Sequence, residues 1–150
     1  MGRAINTSRP IRRRGVTLLE MGVAVTIIGI LVAFTVPSFT RVSEQSHVDV
    51  AAQYLRSIWS AQRVYWLEHK TFASTLADLD AMGLIDPKIA VGNDGYFAYS
   101  LSNAAADTFT ATATRSGSGT WTGSLSITQD GGVTGHVSNG GGNVLTPPDL

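Results

Sequence analysis

The sequence predicts an α+β protein: a long N-terminal helix, membrane-spanning in its first half and amphipathic in its second, packed on a small antiparallel β-sheet. Three observations carry this. Charge is absent from Met21 to Thr40, twenty residues in succession, about the length a helix needs to cross a bilayer's hydrocarbon core. Val48, Ala51, Leu55, Ile58, Gln62 and Tyr65 recur at alternating spacings of three and four, which is the period of one helix face. From Gly95 onward, apolar residues alternate with hydroxyl residues, which is the period of a strand with one covered face.

A chain of 150 residues is one domain by length. The formal net charge is zero, but it is unevenly spread. Residues 1–15 hold five arginines (Arg3, Arg9, Arg12, Arg13 and Arg14) and no acid. The rest carries six basic and eleven acidic side chains. Basic residues before an apolar span keep that end in the cytoplasm, so the bulk should lie on the far side. There is no cysteine, which excludes disulfides, thiolate metal sites and a cysteine nucleophile.

Residues 1–15 read as a leader. A secretory signal would need an A-x-A-like site after a shorter apolar run, and residues 32–37 offer none. A plain one-span anchor fits the span and the charges equally well. Residues 16–40 form the apolar helix. Its one acid, Glu20, costs about 2.5–3.5 kcal/mol to place in a membrane helix, so it should have a purpose. Gly29 and Ala33 are four apart and share a helix face, where small residues permit close helix approach. Pro37 cannot donate the helical hydrogen bond, so a kink or an opened turn is expected there.

Residues 41–70 continue the helix in amphipathic form. Ala52, Trp59 and Trp66 add a row beside the main stripe. One helix over 16–70 would be about 80 Å long, more than any bilayer, so its second half must pack on something else. Core and subunit-contact packing is the ordinary use of Tyr54, Trp59, Tyr65 and Trp66. An aromatic path or ligand box is the competing use.

Residues 71–95 read as a connection with a short helix starting near Ser74 or Thr75, either of which could cap with Asp78. Asp86-Pro87 and Gly92-Asn93-Asp94-Gly95 are turn signals. Residues 96–137 hold three or four strands, with Phe97, Tyr99 and Leu101, then Phe109, Ala111 and Ala113, then Trp121, Leu125 and Ile127 on the oily face. That face should lie on the helix stripe, giving a two-layer head. Residues 138–150, rich in glycine and then proline, read as a flexible tail.

Arg13-Arg14-Gly15 followed by Val16-Thr17-Leu18-Leu19-Glu20 resembles the processing site of the type IV pilins and type II secretion pseudopilins. Gly29 and Pro37 fall where that family often carries glycine and proline. Val16 stands where phenylalanine is usual. The resemblance implies a pilin-like fold, cleavage between Gly15 and Val16 by a prepilin peptidase, and N-methylation at Val16. It implies that Glu20, Gly29 and Pro37 serve assembly of identical or related subunits into a helical filament. An inner-membrane platform and a motor ATPase would drive that step. Before assembly the chain would be a single-pass inner-membrane protein in contact with lipid, its N-terminus cytoplasmic. Afterwards it would lie in an extracellular pilus or a periplasmic pseudopilus. Major pseudopilins use a calcium site, for which Asp86 and Asp94 are the candidates here, but no D-x-D-x-D-G loop is present.

No nucleophile elbow, P-loop, H-E-x-x-H or paired-cysteine motif occurs. His47 and His69 are 22 residues apart on one helix, about 33 Å, too far to share a metal. No enzyme and no cofactor is expected. The expected function is a structural filament subunit; the alternative is a minor pilin acting as a binding or initiating module in DNA uptake, adhesion or substrate capture. The acidic head argues against nucleic acid as a direct ligand.

Overall fold

The computed structural model of the chain describes residues 15–148, without the side chains of residues 34–38. The leader reading therefore lies outside the described residues except for Gly15, as do the last two residues of the tail reading. In chain order the elements are α1 (Leu18–His69), α2 (Leu76–Ala81), α3 (Pro87–Ala90), β1 (Phe97–Ser102), β2 (Thr110–Arg115), β3 (Trp121–Thr128), β4 (Val133–Asn139) and β5 (Val144–Leu145). Two compact units divide at Thr40 and Arg41, and α1 contributes to both.

In the first unit, α1 presents exposed apolar side chains along its described length. Leu18 is 92% exposed and Leu19 78%, and the valines and isoleucines that follow are also exposed. The helix continues through residue 37, so the opened turn expected at Pro37 does not interrupt it; a single missing donor removes only one bond of the ladder. Among the described residues no helix is long and apolar enough to cross a membrane. The side chains of residues 34–38 lie outside the described ones and interrupt the apolar run, so the membrane-spanning reading rests on the sequence.

The second unit is a two-layer α+β head. All five strands pair antiparallel in sequence order, one more than the alternation predicted at most. Register follows the oily face: Leu101 lies opposite Ala111 and Ala111 opposite Ile127, while Tyr99 lies opposite Ala113 and Ala113 opposite Leu125. These inward residues form one core with Val48, Ala51, Leu55 and Ile58 of α1. Small alanines at the centre of β2 let the sheet come close to the helix. Tyr54 meets Tyr99 edge to face, with ring centroids 5.9 Å apart.

The connection is more ordered than its turn signals suggest. Thr75, not Ser74, caps α2: its hydroxyl accepts from the Asp78 N–H at 3.2 Å, and the Asp78 carboxylate accepts from the Thr75 N–H at 3.0 Å, a capping box. Asp86-Pro87, expected as a turn, instead starts α3. Asp86 accepts from the Lys88 N–H, and Pro87 fills the first helical position, where its missing N–H costs nothing. The tail also differs from expectation. Val144 and Leu145 pair with β4, and Leu145 is buried. A two-residue strand is too short to show period two, so its place depends on the edge it finds.

Candidate assembly site

Of the expected processing and assembly residues, Gly15 and Val16 lie just before α1, Glu20 in its first turn, and Gly29 and Pro37 further along it. Gly15 and Val16 are exposed. Thr17 precedes the first helical residue; its hydroxyl accepts from the Glu20 N–H at 3.2 Å, and Glu20 Oε2 accepts from the Thr17 N–H at 3.5 Å. This is a capping box, and an acid in the first turn also meets the positive end of the helix dipole. In a single chain, then, Glu20 opens the helix and stays exposed. Its spare acceptor capacity is free for a further donor.

Gly29 lies nine residues beyond Glu20 on the same helix. A Cβ built at Gly22 or Gly29 would meet nothing within 4 Å. The isolated chain therefore has no need of glycine at either place. Thr26, between them, turns its hydroxyl back onto the Gly22 carbonyl at 2.8 Å, which removes a polar group from the helix surface. The side chain of Pro37 lies outside the described residues.

Asp86 and Asp94, the calcium candidates, are occupied by their own loops. Asp86 caps α3. Asp94 accepts from the Tyr96 N–H at 2.8 Å, the Phe97 N–H at 2.7 Å and the Tyr99 hydroxyl at 2.7 Å. Burial, and then the hydrogen bond to Asp94, push the Tyr99 hydroxyl well above the ordinary tyrosine range, so it stays a donor. Among the described residues no group of three or more His, Cys, Asp or Glu side chains could hold a metal ion.

The head is fastened to its length of α1 by polar contacts that periodicity does not reveal. Glu44 and Arg115 form a bidentate ion pair, with both side chains under 10% exposed. The same guanidinium donates to the Tyr96 carbonyl at 2.8 Å and to the Ser116 carbonyl, so its charge is spread over several acceptors. His47 stacks on Tyr96 with centroids 3.8 Å apart. Gln62, expected as part of the apolar stripe, is fully buried. Its amide takes both backbone groups of Ala73, at 2.9 and 2.8 Å. Trp59 and Trp66 donate their indole N–H groups to the carbonyls of Gln129 and Ala106. These aromatics are partly buried against the core. The only sequence signal for this frame was the presence of Glu44 and Gln62 on a helix; Arg115 stood out in no motif.

Beyond Trp66 lies a cleft of about 440 Å³ with Arg63, Trp66, Leu67, Phe72, Asp107 and Asp130 on its walls. It sits at the end of the head farthest along α1 from Glu44.

A long N-terminal helix whose second half lies under a five-stranded antiparallel meander is a pilin-like α+β architecture. The family described as type IV pilin-like G and H matches residues 49–139, more than half of the chain. Among curated relatives, the type IV narrow pilus major component PilA5 of Thermus thermophilus is 33% identical over 102 residues, covering 66% of this chain and 86% of that protein. The wide pilus major component PilA4 of the same organism is 27% identical over 120 residues, 80% of this chain and 85% of that protein. The type II secretion system core protein G of Pseudomonas aeruginosa is 35% identical over 71 residues, 47% of this chain and 50% of that protein. The match to the type IV major pilin PilA of Myxococcus xanthus spans only 28% of that protein's length. The chain belongs to the type IV pilin and type II secretion pseudopilin family.

Proposed function

We propose that this chain is a structural subunit of a type IV pilus or type II secretion pseudopilus, assembled through α1. The observation that carries this is the first unit of the helix: an exposed apolar surface with one acid at its start. Contiguous apolar surface of this kind marks a contact with lipid or protein. Relatives named as major components of pili support the structural role over that of an initiating minor pilin.

In this reading a prepilin peptidase cuts between Gly15 and Val16 on the cytoplasmic side, and Val16 is N-methylated. The chain waits in the inner membrane with the uncharged run from Met21 to Thr40 across it. A platform protein and a motor ATPase then extract it into the filament, on the cell surface or in the periplasm. Cleavage creates an amine at Val16, immediately before the Thr17–Glu20 capping box and four residues before Glu20 itself. At about 4 Å an amine and a carboxylate attract by about 4 kcal/mol at an effective dielectric near 20. That is enough to select register when apolar helices could otherwise slide. Gly22 and Gly29 leave room for a neighbouring helix to come close, and Pro37 marks where the helix can open on extraction.

Glu20→Ala tests this. Expected are normal membrane insertion, normal cleavage before Val16 by mass, and loss of filaments by at least tenfold. Filaments at the unaltered level would remove Glu20 from the mechanism, and a chain still carrying residues 1–15 beside an active prepilin peptidase would remove the pilin processing route.

A further inference from the structure

We infer that Asn139 is a self-modification site: the turn between β4 and β5 promotes cyclisation of its side chain onto the Gly140 nitrogen, and the rearranged product releases β5. Asn139 is the last residue of β4. Its side-chain oxygen accepts two backbone N–H groups, from Gly141 at 3.1 Å and from Asn143 at 3.0 Å. Two donors fix which end of the amide faces the turn, since only the oxygen can accept them. The Nδ2 end donates to nothing among the described residues. Attack on a carbonyl carbon places negative charge on its oxygen, and backbone N–H groups aimed at that oxygen stabilise the charge. Cγ is thus activated, while the nitrogen that must leave is unheld.

The attacking atom is next in the chain. Gly140 is exposed, a Cβ built there would meet nothing within 4 Å, and its φ lies outside the left-handed region. Neither space nor backbone requires glycine at this place. What the missing side chain provides is an unobstructed approach of the Gly140 nitrogen to Cγ. Asn93, Asn103 and Asn143 precede Asp94, Ala104 and Val144, each of which carries a Cβ beside the nitrogen. At Asn139 a base takes the proton from the Gly140 nitrogen, the N–Cγ bond forms, the Cγ–Nδ2 bond breaks and ammonia leaves. Water then opens the ring at one of its two carbonyls. Opening at Cγ gives aspartate, whose carboxylate still accepts from Gly141 and Asn143. Opening at the main-chain carbonyl gives isoaspartate, which routes the backbone through Cβ and Cγ and lengthens it. The bonds from the Asn139 N–H to the Asn143 carbonyl at 3.1 Å and from the Gly142 N–H to the Asn139 carbonyl at 3.3 Å then lose their spacing. β5 has only two paired residues to resist this. Its release would uncover Leu145, now 2% exposed, and free the Thr146 and Pro148 carbonyls from Gln45 and Arg56 of α1.

The test incubates the full chain in detergent at mildly alkaline pH, folded and in denaturant, and follows Asn139 by peptide mass and by isoaspartyl methyltransferase labelling. Conversion should be about fivefold or more faster in the folded chain, because the turn supplies the two donors. Gly140→Ala should slow it severalfold with the melting temperature unchanged. In the isoaspartate fraction, hydrogen exchange at Val144 and Leu145 should rise to the rate of an unpaired segment, whereas Asn139→Asp should keep both protected. Conversion at Asn139 that is absent, or no faster in the folded chain than in denaturant, would overturn the site. Protection of Val144 and Leu145 that survives in the isoaspartate fraction would overturn the release of β5.

Discussion

Arg115 and Glu44 show how much one residue pair settles. They are 71 residues apart in the chain and join β2 to α1 inside the head. Separating two charges from water is costly, and the cost is offset only when every acceptor and donor is placed. Here the guanidinium has four, from Glu44, Tyr96 and Ser116. Arg115→Met would leave Glu44 buried and unpaired, and should destabilise the head by about 3–5 kcal/mol. Glu44→Met combined with Arg115→Met should recover most of that. Denaturant unfolding of the two single variants and the double one decides it; strict additivity would mean that the pair does not act as a unit. Neither partner could have been matched from sequence, because a helix of alternating charges offers several acids of equal standing.

At the scale of elements, the β3–β4 hairpin depends on two absent side chains. Gly123 has φ of 137° and Gly135 of 105°. A Cβ at Gly123 would lie 2.3 Å from the His136 carbonyl oxygen, and one at Gly135 would lie 2.3 Å from that of Ser124. Both obstacles are backbone and cannot rotate away. Gly135→Ala should therefore cost about 2–4 kcal/mol through strain and a displaced ladder, read as a lowered denaturation midpoint. An unchanged midpoint would show that the hairpin shifts freely. The strands themselves were legible from the alternation within residues 96–137. An isolated glycine within a strand pattern does signal close backbone approach, but which backbone approaches is decided only by register. The same holds for α2 and α3. Thr75, Asp78 and Asp86 are visible capping residues, whereas the choice of Thr75 over Ser74, and of helix over turn at Asp86-Pro87, follows from where Leu79 and Ile89 can be buried.

At the scale of the molecule, the two units have opposite demands. The head has its own core and its own buried ion pair; the first unit is a helix with exposed apolar side chains. A fragment beginning at Arg41 should fold cooperatively and stay monomeric in water, while the full chain should require lipid or detergent. Sedimentation and a thermal melt would check both. A fragment that fails to melt cooperatively would mean that the apolar helix is needed to fold the head.

Local pattern alone determined the α+β class, the lipid-suited start of the helix, its amphipathic continuation and the alternating strands, because periodicity and charge are properties of neighbouring residues. The order Arg13-Arg14-Gly15 to Glu20 likewise pointed to the family through a short run of fixed spacing. Only the tertiary structure decided that Arg115 pairs with Glu44, that Gln62 holds Ala73, that Leu145 completes the sheet and that Asp107 and Asp130 share a cleft with Trp66. Each of those joins residues far apart in the chain, and their energy exists only once the backbone has brought them together and excluded water.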